Sequence, residues 1–167
     1  EIASAISADI TQRNGPEKYA IFGHSMGAVL TLEVLRICAL MHLPMPQVVV
    51  VSGCRWPGVL DQSRNVHDLP EPQFRARLKE LGGTPQAVLD HEELIALVSP
   101  MLRADFAMLH HYKYRASLAL KIPLHVFAGR DDTDITKDHL LPWFNESTDH
   151  GDLHWFDGGH SFLQDDP

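Results

Sequence analysis

The residues able to do chemistry are a serine, several aspartates and a late histidine. Ser25 stands in Gly23-His24-Ser25-Met26-Gly27, between a short apolar run (Tyr19-Ala20-Ile21-Phe22) and a long apolar segment that opens at Met26. This is the strand–turn–helix setting of a nucleophile elbow, where a serine on a strained turn is pushed clear of the sheet. A Cβ at Gly23 or Gly27 is expected to collide with so tight a turn. A serine hydroxyl is a poor nucleophile until a base takes its proton, and the base needs an acid to fix its tautomer and balance its charge. Asp131-Asp132 follow one later apolar run, and Gly158-Gly159-His160 follow another. Such a set performs acyl transfer.

These residues need a scaffold that brings distant parts of the chain to one place. Ile2, Ala3, Ile6 and Ile10 recur at helical spacing up to the stop at Asn14-Gly15-Pro16. A strand at 19–22 leads through the Ser25 turn into a helix running from Met26 to about His42, which Pro44 and Pro46 end. Residues 47–52 (Gln-Val-Val-Val-Val-Ser) form a β-branched run, expected as a parallel strand covered on both faces and closed by Gly53. From 55 to 115 the character changes, with loop punctuation and three short helical patterns at 73–81, at 85–89 running on to 92–98, and at 100–112. That is too long for one crossover helix and reads as an inserted helical cap. Strand character returns at 124–128, a helix follows around 138–144, and a strand occupies 153–156. The alternation gives an α/β fold with a parallel sheet, expected as a single domain over 1–167.

Catalysts in such sheets gather at the carboxyl ends of the strands. Position therefore selects among the 11 histidines. His154 falls inside a strand and His150 in the turn before it, whereas His160 follows a strand end on Gly-Gly. The order Ser, Asp, His is that of α/β-hydrolases. Asp131 and Asp132 are neighbours whose side chains diverge, so at most one faces His160; Asp157 is the other candidate acid. The net charge of −8 argues against nucleic acid and anionic membrane surfaces, and no apolar run approaches a membrane span. Cys38 and Cys54 are expected as buried thiols of a cytoplasmic protein. His91-Glu92-Glu93-Leu94-Ile95 lacks the second histidine of a zinc motif, and no phosphate-binding loop is present.

Four segments together carry a resemblance: Phe22-Gly23-His24-Ser25-Met26-Gly27; Leu69-Pro70 through Phe74, with Leu78 and Leu81-Gly82-Gly83-Thr84-Pro85; Leu102-Arg103-Ala104-Asp105-Phe106; and Phe156-Asp157-Gly158-Gly159-His160-Ser161-Phe162. Over nearly its whole length the chain resembles a type II thioesterase, the editing enzyme of polyketide and nonribosomal peptide assembly lines, within the α/β-hydrolase superfamily. The resemblance implies Ser25 as nucleophile, His160 as base and, three residues past the glycine ending its strand, Asp132 as acid. It implies the Met26 N–H as an oxyanion donor and an acyl group on the phosphopantetheine arm of a carrier protein as substrate. No cofactor and no metal are needed, and a monomer is expected. Phe74, Leu78, Leu94, Leu97, Leu102 and Phe106 of the cap are candidates for an acyl chamber or for cap packing. Arg64, Arg75, Arg77 and Lys79 are candidates for an acidic carrier protein or for a solvated helix face.

Departures lie at the ends. Members of that family carry roughly four more strands before this point, with a turn that gives a second oxyanion donor. They also carry a helix after the catalytic histidine. The chain is therefore expected to be a fragment whose first strand has a bare edge. Two alternatives stay open: another serine hydrolase (an esterase or a chain-terminating thioesterase domain), or an inactive truncated piece.

Overall fold

The computed structural model describes residues 1–14, 18–59 and 65–165. Gly15, Pro16 and Arg64 lie outside them. Four strands, β1 (Ala20–His24), β2 (Val48–Ser52), β3 (Leu124–Gly129) and β4 (Leu153–Phe156), form one sheet in the order β1-β2-β3-β4 with every pair parallel. All four carboxyl ends therefore point the same way, which is what gathers Ser25, Asp132 and His160. Among the described residues β1 pairs only with β2, leaving the bare edge expected of it.

Helix α1 (Ile2–Asn14) packs on α2 (Met26–Leu40), which lies across one face of the sheet. Leu32 and Leu35 of α2 meet Val49 and Val51 of β2 and Val126 and Ala128 of β3 in the main core, with Trp143 fully buried beside them. Burial in β2 alternates: Val49 and Val51 are sealed, while Val48 and Val50 are only partly buried. The expectation of a strand covered equally on both faces is not met among the described residues: α2 seals one side of β2, while Val48 and Val50 on the other are only partly buried. Across the other face run Phe22, Phe127, His154 and Phe156, with Phe22 51% exposed.

The segment between β2 and β3 is helical, with boundaries unlike those read from its prolines. α3 (Glu71–Leu81) starts two residues early and takes Pro72 into its first turn, where a missing N–H costs nothing. α4 (Gln86–Leu89) stops at Asp90 and does not run on. α5 (Glu92–His111) is one helix of 20 residues that passes straight through Pro100. A proline inside a helix costs about 3 kcal/mol. Here Ile95 and Val98 before it, and Leu102 and Phe106 after it, all pack on Phe74, Leu78 and Leu89, so the buried face on both sides outweighs that cost. Arg103 ties the segment together: it donates to the carbonyls of His67 (2.6 Å) and Leu69 (2.8 Å), pairs with Glu71 (2.9 Å), and lies over the Phe74 ring at 4.0 Å.

Both ends of this segment are fixed to one buried carboxylate. Glu146, 3% exposed, accepts from Trp56 Nε1 (2.8 Å), the Tyr114 hydroxyl (2.7 Å) and Arg36 of α2 (3.1 Å). It closes a 3₁₀ stretch, Leu141–Glu146, that follows α6 (Lys137–Leu140). After β4, α7 (Phe162–Asp165) adds a helical turn where the sequence suggested no closing element; Phe162 is buried and stacks on Phe156 at 5.1 Å. Among the described residues no helix is long and apolar enough to cross a membrane.

Candidate active site

Ser25 occupies the turn between β1 and α2 with φ 54° and ψ −121°, in the left-handed half of φ space that a side chain rarely enters. Its N–H donates to the Ser52 carbonyl (2.8 Å), which ties the turn to the end of β2. Gly23 is required by close approach: a Cβ there would lie 2.3 Å from the Gly27 carbonyl oxygen and 2.4 Å from Thr31 Oγ1. The same argument fails for Gly27, because a Cβ at that position meets nothing within 4 Å. Its Cα faces the open side of the turn.

The loops after β3 and β4 are fastened to each other. Arg130 N–H donates to the Phe156 carbonyl (2.9 Å) and Asp131 N–H to that of Gly158 (3.0 Å). A Cβ on Gly129 would come within 2.2 Å of the Gly159 carbonyl oxygen, so only glycine lets the loops approach this far. The result is a relay. Asp132, 8% exposed, accepts from His160 Nδ1 at 2.9 Å through Oδ2 and from the Asp134 N–H at 3.0 Å through Oδ1. His160 Nε2 stands 3.0 Å from Ser25 Oγ. Of the other acids, Asp131 is exposed and Asp157 points into solvent beside Arg130 (3.3 Å). His150 and His154 are exposed and take no part.

One member of the site was not singled out from sequence. His24, between Gly23 and Ser25, contacts the His160 ring at 5.2 Å and shares a hydrogen bond of 3.0 Å with the buried Ser52 hydroxyl. Burial, and then the neighbouring His160, push its pKa down to about 4, so it stays neutral beside the His160 ring. The signal lay in the motif itself, since the residue before an elbow serine sits at the sheet's carboxyl rim.

A cavity of about 470 Å³ opens above Ser25. Leu78, Leu102 and Phe106 of the six candidate chamber residues line it, joined by Met26, Leu81 and Leu109. Phe74 does not: it is wholly buried within the cap's own cluster. Leu94 and Leu97 lie on the outer face of α5, 42% and 76% exposed. Met26 begins α2, and the first N–H of a helix has no acceptor inside it, leaving it available at the positive end of the helix dipole. Arg75 is engaged with Glu71 and Glu92, and Arg77 with Glu80 and Asp134; Lys79 is exposed. Among the described residues one group has the makings of a metal site. His154 Nε2 and Asp152 Oδ2 lie 3.3 and 3.8 Å from His125 Nδ1, at the amino-terminal side of β3 and β4 and away from Ser25.

The profile of the thioesterase domain family matches residues 1–166. Linear gramicidin dehydrogenase LgrE of Brevibacillus parabrevis is 33% identical over 148 residues, covering 87% of this chain and 56% of that protein. Thioesterase PikA5 of Streptomyces venezuelae is 34% identical over 148 residues, covering 89% and 52%. The chain spans about half the length of these curated relatives. Among solved structures, the RedJ thioesterase from the prodiginine biosynthetic pathway in Streptomyces coelicolor superposes with a TM-score of 0.90 at 28% identity, covering 97% of this chain and 63% of that one.

Proposed function

The chain belongs to the thioesterase domain family, and from that premise we propose that it hydrolyses acyl thioesters, with Ser25 as nucleophile, His160 as general base and Asp132 as the acid that orients it. The observation carrying this reading is the unbroken line from Ser25 Oγ through His160 to Asp132, with links of 3.0 and 2.9 Å, behind a serine held at positive φ.

The steps follow from that line. With its proton on Nδ1 and donated to Asp132, His160 has Nε2 free to take the Ser25 hydroxyl proton as Oγ bonds to the thioester carbon. The carbonyl oxygen takes up the displaced electron pair and faces the Met26 N–H. The tetrahedral species collapses with cleavage of the C–S bond, and the sulfur leaves as a thiol with the proton that His160 returns. A thiol of pKa about 8.5 departs more readily than an alkoxide. Water, deprotonated by the same imidazole, then attacks the acyl-enzyme and frees the carboxylic acid and Ser25.

The substrate class proposed is an acyl group on the phosphopantetheine arm of an acyl or peptidyl carrier protein, as in editing of polyketide or nonribosomal peptide synthesis. The apolar walls provided by Leu78, Leu102, Phe106 and Leu109 suit an acyl chain, and residues 55–115 act as the cap over it. The test is hydrolysis of a panel of acyl-pantetheine thioesters and matched oxygen esters, with Ser25→Ala as control. Thioesters are expected to be turned over faster, and the alanine variant to be inactive. Full activity in Ser25→Ala would overturn the mechanism; preference for oxygen esters would overturn the substrate class.

A further inference from the structure

The loop bearing His160 also grips the cap. The next residue, Ser161, donates its hydroxyl proton to the Leu81 carbonyl (2.9 Å) and accepts from the Gly83 N–H (2.8 Å). Leu81 is the last residue of α3, and Gly82 ends the helix at φ 81°, a conformation suited to glycine. The approach is close: Cβ atoms built on Gly82 and Gly83 would lie 3.5 and 3.2 Å from Ser161 Oγ. One turn back on the same helix, Arg77 is paired with Asp134. Asp134 is the residue whose N–H donates to Asp132 Oδ1. The end of α3 is thus fastened to the loop of the base by one tie and to the loop of the acid by another.

The same turns of α3 also face the cavity, through Leu78 and Leu81. A group that fills the cavity presses on the element that both ties hold. Resting on the reading of Ser25 as the nucleophile, we propose that Ser161 is a positioning residue: through it and the Arg77–Asp134 pair, the end of α3 sets the alignment of His160 with Asp132, so that seating the cap and assembling the proton relay are one event. Ser161 touches no reacting atom and acts through the residue before it. Reactivity depends steeply on such alignment, and a displacement near 1 Å can cost about 10²-fold in rate.

The test is the rate at which a small alkyl fluorophosphonate labels Ser25, a probe too short to depend on contacts with the cap. Ser161→Ala is expected to label about tenfold more slowly than wild type, and Arg77→Met likewise, a partial loss within the range that misalignment allows. Ser161→Thr, which keeps the hydroxyl, is expected to stay within about threefold of wild type. In thioester hydrolysis the loss in Ser161→Ala is expected in kcat, with KM changed less than about twofold. Proton NMR supplies a reading that needs no turnover: the hydrogen-bonded Nδ1 proton of His160 is expected to broaden or vanish in Ser161→Ala and to persist in Ser161→Thr. Wild-type labelling and an unchanged Nδ1 signal in Ser161→Ala would overturn the proposal, as would a Thr variant as slow as Ala. Absence of labelling in the wild type would instead overturn the catalytic reading on which it rests.

Discussion

Acid destabilises this fold through His24, and one substitution should remove that part of the effect. In the folded state the ring is held neutral down to about 4, against an ordinary value of 6.5, by burial and by the neighbouring His160. The unfolded chain therefore takes up this proton first. Stability is highest above pH 6.5 and falls as the pH drops from 6.5 toward 4. The gap, 6.5 less about 4, corresponds to about 3.4 kcal/mol at about 1.36 kcal/mol per pH unit. The ring is only partly buried, and halving the figure for solvent screening leaves about 1.7 kcal/mol, of which about 1 kcal/mol is lost by pH 5. The assay is urea unfolding at pH 7.5 and pH 5.0 for the wild type and His24→Gln, which keeps a hydrogen-bonding group beside Ser52. Titrating groups distant from His24 contribute to both proteins and drop out of the difference. The wild type should lose about 1 kcal/mol more than the variant, which appears as a midpoint shift of about 0.5 M at a typical urea slope of about 2 kcal/mol/M. Equal losses in the two proteins would refute the argument that His24 is forced to stay neutral.

The two elbow glycines should respond oppositely to alanine. Gly23→Ala meets a backbone oxygen at 2.3 Å and is expected to cost about 2 kcal/mol or more, while Gly27→Ala should be within about 0.5 kcal/mol of wild type or slightly stabilising, as thermal melts will show. Glu146→Ala strands the Arg36, Trp56 and Tyr114 donors and is expected to cost about 3–5 kcal/mol in denaturant unfolding; a loss below about 1 kcal/mol would mean the network is dispensable. Cys38 and Cys54 are both buried, and burial pushes the Cys54 thiol up to about 12, so neither should react with a thiol reagent at pH 8 until denaturant is added. A rapid reaction in native buffer would contradict that burial.

What was legible in the sequence is what neighbours in the chain decide. The Ser25 turn is built from its own flanking residues, and the β-branched run 47–52 and the apolar run before Gly129 declare themselves as strands. The Gly158-Gly159 step before His160 announces a loop, and the loop's place at the carboxyl end of β4 follows from the parallel order. Which acid bonds to His160 is a different kind of question. Asp131 and Asp132 differ by one residue in sequence and by opposite directions in space, and the zipping of the two loops around Gly129 makes the choice. Pro100 misled because a proline's local cost is visible in sequence, whereas the packing on α3 that offsets it is not. Leu94 and Leu97 misled for a related reason: α5 is apolar on several faces, and only its contact with α3 determines which one turns inward. The Gly27 expectation failed because the motif prescribes two glycines while the turn in this structure crowds only one.

The carboxylate of Glu146 holds the indole where the chain leaves the sheet after β2 and the phenol just before it returns at β3. Both flanks of the segment between are pinned at one point, besides the ties that α3 makes further in, and that defines a splice boundary. A foreign lid joined inside positions 56 and 114 would inherit the anchorage whatever its own sequence, whereas one joined outside them would have to bring its own. Chimaeras that exchange acyl preference between related enzymes are therefore expected to fold when both junctions respect those two aromatic residues and to aggregate when either is replaced.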